Sequence, residues 1–250
     1  MRDVVRARFP AFSADLEGRE LTFMYLDSAE PLGLVTTATG CLIDPLSMAI
    51  GLPWMRRDGT PASPSEVTAC WLLVKGREDL KKHGGGIYAG LAGNTLRLTP
   101  EGARNLVDKR LTWFDMTLAG MFADWNEWPA MAQLFALSWA WAVGASAKYP
   151  RMLAHLRAGD FASAALECTI NPQRGTIITR NKRNRILLGN AQRTRDLHLD
   201  PDVIDWVNDW EAQARELADK TPTLSEFPHT DATHTESVEP DQVDPPDDAA

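Results

Sequence analysis

Two acidic residues near the start of the chain, Glu17 and Asp27, lie in different kinds of sequence. Glu17 follows an apolar stretch ending in Leu16, whereas Asp27 falls in a segment rich in threonine. Apolar surroundings raise the pKa of a carboxyl group, and polar, hydrogen-bonding surroundings keep it ionised. Such an unequal pair suits hydrolysis of a glycosidic bond, in which one carboxyl group protonates the leaving oxygen and the other directs the attacking water.

The same residue types also have ordinary structural explanations. A Glu-Gly pair such as Glu17 and Gly18 often ends a helix, and an aspartate often occupies a turn. Glu20 and Glu30 are further candidates for the proton donor, since both are close to Glu17 in the chain. The hydroxyl group of Thr36 is a candidate for orienting a water molecule. The residue types alone therefore leave catalysis open.

The order and spacing of these residues resemble the phage lysozyme family, glycoside hydrolase family 24. In that family a Glu-Gly pair, a Tyr-x-Asp motif and a Gly-x-x-Thr motif follow one another. Here Glu17 begins the first, residues 25–27 form the second and residues 33–36 form the third. Looser similarity continues through Trp128 and an arginine-rich stretch at 180–185, so the resemblance spans roughly residues 9–195.

The resemblance implies an activity and a set of roles. The protein is expected to be a muramidase that cleaves the β-1,4 bond between N-acetylmuramic acid and N-acetylglucosamine in peptidoglycan. Glu17 is expected to be the general acid, with Asp27 and Thr36 directing water, and neither a metal ion nor an organic cofactor is expected. Tyr25 and Trp54 are candidates for stacking against sugar rings.

Two departures from the family pattern favour an alternative function. Residues 28–32 are longer than the usual two-residue turn, and Ala38 occupies a position that is usually glycine. Alanine adopts a positive φ less readily than glycine does. The alternative is a catalytically impaired lysozyme fold that binds the cell wall or forms part of a virion.

A basic stretch from 170 to 195 contains seven Lys or Arg residues and no acid. Arg180 and Arg183 are its candidates for substrate binding, because wall polymers and peptidoglycan peptides are acidic. A solvated helix face, with an arginine holding a neighbouring loop, explains the same pattern. Nucleic acid is a weaker alternative, since the rest of the chain is close to neutral.

The net charge of −8 arises in the last thirty residues. Residues 221–250 contain eight acids and no Lys or Arg, and the 26 remaining acids balance 26 basic residues. We expect a lysozyme-like domain at 1–220 and an acidic, Pro-rich disordered tail at 221–250, which would dock onto other virion proteins. The N-terminus lacks an apolar signal-peptide core, and no segment is apolar enough to span a membrane. The protein is thus expected to be made in a host cytoplasm, with three free cysteines, and to act on the cell wall, as a free enzyme or a tail component.

The pattern of apolar residues, prolines and glycines predicts an α+β fold that is mostly α. Short helical turns over 2–16, interrupted at Pro10, should precede a small β-meander or hairpin at 22–43. A glycine-rich loop is expected at 83–94. The predicted helices are a short one after Asp44-Pro45, Ser63 to Lys75, Thr99 to Phe122, 130–143, 150–168, 180–195 and 201–218.

Overall fold

The computed structural model describes residues 1–18, 20–28, 33–145, 148–171, 173 and 175–204. Over these residues the protein has the expected α+β fold and is mostly α. The helices are α1 Asp3–Glu17, α2 Leu46–Ile50, α3 Pro64–Lys75, α4 Pro100–Met121, α5 Ala130–Val143, α6 Pro150–Arg157, α7 Phe161–Glu167 and α8 Thr176–Asp196. The strands are β1 Leu21–Leu26, β2 Val35–Ala38, β3 Cys41–Leu42, β4 Trp54–Met55 and β5 Arg97–Leu98. The tail at 221–250 and most of the helix predicted at 201–218 lie outside the described residues.

Helix α1 is continuous, so the predicted interruption at Pro10 is wrong. Proline removes one backbone donor from a helix. Here Pro10 lies on the exposed face, while the opposite face of the helix is buried in the core. The buried apolar side chains of that face are Val5, Phe9, Phe12 and Leu16. Their packing on both sides of Pro10 compensates for the lost hydrogen bond and carries the helix on to Glu17.

A β-meander or a hairpin was predicted near the N-terminus, and the structure has the meander, a three-stranded antiparallel sheet in the order β1-β2-β3. Tyr25 of β1 is paired with Thr36 of β2, so these two residues are cross-strand neighbours. The amide of Asp27 donates to the carbonyl of Leu34 at 2.9 Å, which extends the ladder by one residue. The sheet therefore places Tyr25, Asp27 and Thr36 close to one another.

Ala38, at the end of β2, has a φ of +50°, which is the conformation expected of glycine. Alanine adopts this conformation less readily than glycine, but Ala38 does adopt it. The tight turn to β3 requires a left-handed residue, because Thr37 and Cys41 on its two sides are paired. Ala38 is also buried, so the packing of its methyl group offsets a backbone cost of roughly 1–2 kcal/mol.

The predicted starts of α3 and α4 are confirmed. Ser63 and Glu66 form a capping box at the start of α3. The hydroxyl group of Thr99 accepts a hydrogen bond from the Gly102 amide at 2.9 Å and caps α4. Helix α5 is buried along almost its whole length and ends at Gly144, as its apolar sequence predicts. The predicted short helix after Asp44-Pro45 is α2, whereas the region 150–168 forms two helices, α6 and α7.

The glycine-rich segment 83–94, predicted to be a loop, instead contains a 3₁₀ helix at Gly85–Gly90, and another 3₁₀ helix precedes it at Glu78–His83. Two buried side chains hold this segment. The Tyr88 hydroxyl donates to the carbonyl of Arg77 at 3.1 Å. The Asn94 amide donates to the carbonyls of Met24 and Tyr88 at 2.8 and 2.9 Å. These contacts fix the segment against β1.

Replacing Asn94 by alanine should lower the free energy of unfolding by about 3 kcal/mol, because it leaves two carbonyl groups without a buried donor. Its carbonyl oxygen also accepts from the Cys70 thiol at 3.2 Å. Chemical denaturation measures the loss. Asn105→Ala on the exposed face of α4 is the control and should change stability little. Equal effects of the two substitutions would contradict the role given to Asn94.

Helix α4 connects the sheet with the helical part of the molecule, since it contacts β2, β3 and α5. Helix α8 packs against α5, α7 and α1. The C-terminal end of α1 thus lies where the sheet and the central helices approach one another. Glu17 is the last residue of α1.

Candidate active site

Glu17 forms an ion pair with Arg180 of α8. The side chain of Arg180 is 3% exposed, and that of Glu17 is 17% exposed. Arg180 also donates to the carbonyl group and the hydroxyl group of Ser138, in α5, at 2.8 and 3.2 Å. The ion pair involves Oε1 of Glu17. One carboxylate oxygen is therefore held in a fixed place by a buried cation.

The other carboxylate oxygen, Oε2, faces the turn between β2 and β3. A Cβ atom at Gly40 would lie 3.3 Å from Glu17 Oε2 and 3.5 Å from Trp141 Nε1. Gly40 has a φ of +70°, so both its conformation and its surroundings suit glycine. The Trp141 ring nitrogen donates to the carbonyl of Thr39 at 3.2 Å and ties this turn to α5. The absence of a side chain at Gly40 lets the turn approach the carboxylate closely.

Tyr25 lies in the electric field of both candidate carboxylates. Burial raises the pKa of its hydroxyl group above the usual range, and the charges of Asp27, then Cys41, then Glu17 raise it further. The Tyr25 hydroxyl is thus neutral in the physiological range. Because both Glu17 and Asp27 act on this one group, the fold brings the two predicted carboxylates into one neighbourhood.

Arg110 of α4 also lies near Tyr25, Glu17 and Asp27, and it was not predicted from the sequence. Its guanidinium group lies over the rings of Trp141 and Phe114, at 5.2 and 5.3 Å from their centres. Burial lowers the pKa of Arg110, and the charges of Cys41, Glu17 and Asp27 oppose that change. The available signal was an arginine four residues before Phe114, on the inward face of an amphipathic helix.

Thr36 lies beside Tyr25 but is 3% exposed. Its hydroxyl group donates to the carbonyl of Leu34 at 3.0 Å. The hydroxyl hydrogen is thus already in use, and little of the side chain reaches solvent. This geometry does not present Thr36 to a water molecule in the way the sequence analysis expected.

The prediction that Trp54 stacks against a sugar ring is wrong. Trp54 is 2% exposed and its ring nitrogen donates to the carbonyl of Ala49 at 2.9 Å. The ring belongs to the hydrophobic core. An indole so deeply buried offers no face to a ligand. Tyr25, which is half-buried, stays the aromatic candidate of the site.

Arg180 and Arg183, predicted to bind substrate, instead hold α1. Arg180 is buried against Glu17, and Arg183 donates to Asp15 at 2.8 Å and to the carbonyl of Phe12 at 3.3 Å. Elsewhere in this basic stretch Arg185 donates to Thr169 at 2.8 Å. These contacts support the structural interpretation of the basic stretch, in which arginines fix neighbouring segments.

The three cysteines are free, as expected, and the structure shows that they are also buried. Cys41 borders the site. Burial raises the pKa of the Cys41 thiol to about 12, and burial raises that of Cys168 to about 12 as well. We therefore expect no reaction of the native protein with a disulfide reagent at pH 8, and reaction of three thiols after unfolding in guanidinium. A thiol that reacts rapidly in the native state would contradict this burial.

The same shifts give stability a pH dependence with a definite sign. An unperturbed cysteine thiol has a pKa of 9.0, whereas the pKa of Cys41 in the folded protein is about 12. Unfolded cysteines therefore lose protons at a lower pH than folded ones, so the free energy of unfolding falls as the pH rises from about 9 to about 12.

Other features of the described residues neither add to nor replace this site. Clefts of about 640 and 490 Å³ are lined by other residues, the first beside Arg56 and the second beside Trp128. Among the described residues no group of three or more His, Cys, Asp or Glu side chains could hold a metal ion, and no helix is long and apolar enough to cross a membrane. Glu20 is exposed, while Glu30 lies outside the described part.

Comparison with known proteins gives no match of any kind: no family model, no curated protein and no solved structure matches this chain. The lysozyme resemblance thus depends on the sequence motifs alone.

Proposed function

We propose that this protein is a phage-type lysozyme that hydrolyses the β-1,4 bond between N-acetylmuramic acid and N-acetylglucosamine in peptidoglycan. The observation that supports this most is the placement of Glu17. It ends a helix with one buried face, its Oε1 is held by buried Arg180, and it shares its surroundings with Asp27. A carboxyl group that a buried cation holds in one orientation is suited to act on a bound sugar.

In this mechanism Glu17 and Asp27 divide the work. In the reacting complex Glu17 carries a proton on Oε2 while Oε1 still accepts the hydrogen bond from Arg180. Glu17 donates that proton to the glycosidic oxygen as the bond from that oxygen to the anomeric carbon breaks. Asp27 accepts a proton from the water molecule that attacks the same carbon. Proton and hydroxide are thus delivered to the two products, and no metal ion or organic cofactor is required.

The remaining members of the cluster have supporting roles in this proposal. Arg180 positions Glu17 by holding Oε1 and does not touch the substrate. Tyr25 stays neutral and lines the site, with Thr36 supporting it from the neighbouring strand. Peptidoglycan is the proposed partner at the cell wall, and the acidic stretch at 221–250 is proposed to bind other virion proteins rather than nucleic acid.

A second candidate function is a lysozyme fold that binds the wall without cutting it. The burial of Thr36 and the hydrogen bond of its hydroxyl group to Leu34 favour it, because they leave fewer groups to direct water. This candidate keeps the fold and the partner but loses the reaction. It predicts binding to cell-wall sacculi with no new reducing ends.

Incubating the full chain with purified sacculi tests both candidates. The lysozyme proposal predicts that turbidity falls and reducing ends appear, whereas heat-denatured protein produces neither. Sedimentation with the sacculi in the absence of new reducing ends would support the second candidate instead. If the protein neither sediments with the sacculi nor cleaves them, both functions are excluded.

A further inference from the structure

Helices α5 and α8 contribute most of the buried polar atoms that lack a partner. Among the described residues, five buried side-chain nitrogen or oxygen atoms make no hydrogen bond, and four of them belong to these two helices. The four are Nε1 of Trp139, Nε of Arg180, and both Nδ2 and Oδ1 of Asn184. Buried polar groups in proteins are nearly always paired, so their concentration on two packed helices indicates a group that pairs with them.

Asn184 departs furthest from the usual pairing. The residue is fully buried, yet neither its amide nitrogen nor its amide oxygen has a partner among the described residues. Asn181, three residues earlier on the same helix, shows the ordinary arrangement. Its amide oxygen accepts from the backbone amide of Ile170 and its amide nitrogen donates to the carbonyl of Ile170, both at 2.9 Å. Asn184 is therefore a buried polar side chain that α8 keeps without a described protein partner.

Asn184 lies four residues after Arg180, and both are on the buried face of α8. Residues four apart on a helix are neighbours. Nε is the one guanidinium nitrogen of Arg180 without a partner, because Nη1 donates to Ser138 and Nη2 donates to Glu17. An unpaired donor on Arg180 and an unpaired acceptor on Asn184 thus lie on one face of the helix, directly behind the ion pair with Glu17.

We infer that a buried water molecule bridges Arg180 Nε and the side chain of Asn184. The water oxygen accepts a hydrogen bond from Nε, and the water donates one to Oδ1 of Asn184. Buried waters typically pair groups that the protein itself leaves unpaired. All three guanidinium nitrogens of Arg180 are then held, which fixes the arginine in the orientation that meets Glu17. Asn184 is thus a positioning residue for Glu17, and this role rests on the proposed function.

High-resolution crystal structures of the wild-type protein and of Asn184→Leu test the water site directly. The wild-type structure should show an ordered water within hydrogen-bonding distance of Arg180 Nε and Asn184 Oδ1. The Asn184→Leu structure should lack it, because leucine offers the water no polar atom. A wild-type structure in which the two side chains contact each other directly, or in which no water lies between them, would overturn the inference.

Kinetics on soluble glycan strands separate positioning from packing. Asn184→Leu should lower kcat about tenfold and change KM less than about twofold, because a displaced Glu17 is a poorer acid for substrate that is already bound. Asn184→Ser keeps a hydroxyl group for the water, so its kcat should stay within about threefold of wild type, although the smaller side chain lowers stability more. Lys182→Gln, on the exposed face of α8, should behave as the wild-type protein does.

A larger loss of kcat in Asn184→Ser than in Asn184→Leu would reject the positioning role, since packing alone predicts that order. If Asn184→Leu does not fold, Asn184→Val replaces it, with the same loss of kcat expected. If the wild-type protein cuts no glycan, the proposed function fails separately, and the wild-type crystal structure still decides whether the water is present.

Discussion

Glu17→Gln is expected to lower the rate of reducing-end release from peptidoglycan about a thousandfold. Glutamine has nearly the same shape as glutamate but has no acidic proton to give to the leaving oxygen. Asp27 stays in place, so substrate binding should change much less than the rate. The measurement is kcat on soluble glycan strands, with KM or a dissociation constant measured beside it.

The matched control is Glu20→Gln. Glu20 is close in the chain and exposed, and it was an alternative candidate for the acid. Its substitution should leave the rate within about twofold of wild type, as expected for a surface residue. A large loss on replacing Glu20, with Glu17→Gln still active, would transfer the catalytic role from one residue to the other.

Activity of Glu17→Gln must be compared at a temperature at which both proteins are folded. The substitution removes a charge from a buried ion pair with Arg180. Its melting temperature should therefore fall, although the glutamine oxygen can still accept one hydrogen bond from the arginine. Circular dichroism at the assay temperature separates this loss of stability from the loss of chemistry.

Arg180→Gln is expected to lower the free energy of unfolding by about 3 kcal/mol, the second large effect. Arg180 is almost fully buried, and its guanidinium group serves both Glu17 and Ser138. Replacing it leaves a largely buried carboxylate without its cation and a buried carbonyl without its donor. Urea denaturation measures the change.

Arg6→Gln is the control for that measurement. Arg6 pairs with Asp108 at 2.6 Å, but the two side chains are 35% and 63% exposed. Its loss should lower the free energy of unfolding by less than about 1 kcal/mol, because solvent screens the pair.

The double variant Glu17→Gln with Arg180→Gln tests whether the two residues act as a pair. Its loss of unfolding free energy should be smaller than the sum of the losses in the two single variants. Additive costs, or equal costs for Arg180 and Arg6, would show that the buried pair is not the stabilising contact.

Helix starts were the features most readily predicted from the sequence. The Ser63-Pro64 and Thr99-Pro100 pairs encode α3 and α4 through a capping hydroxyl group and a proline at the first helical position. The boundaries of α5 followed from a run of apolar residues that ends at Gly144. These signals are local, so they can be read without knowing the fold.

The features that were missed depend on distant contacts. Pro10 continues a helix because the core packs on both sides of it, and the segment 78–90 is helical because Tyr88 and Asn94 anchor it. Trp54 became part of the core rather than a binding surface. In each case the decisive neighbours lie far away in the sequence or on another element.

The candidate site was predicted in part. The sequence indicated Glu17, Tyr25 and Asp27, and the fold brings them into one neighbourhood. It also indicated Arg180, but as a substrate contact rather than as the partner of Glu17. Arg110 was missed, since a single arginine in an amphipathic helix normally faces solvent and only the fold shows it beside Trp141.

The catalytic role of Glu17 is tested most directly by digesting purified peptidoglycan with wild-type protein and with Glu17→Gln, and by identifying the fragments by mass spectrometry. The wild-type protein should release fragments ending in reducing N-acetylmuramic acid, and the variant should release almost none. A wild-type digest without such fragments, or the same fragments at the same rate from both proteins, would contradict the claim that Glu17 cleaves a glycan.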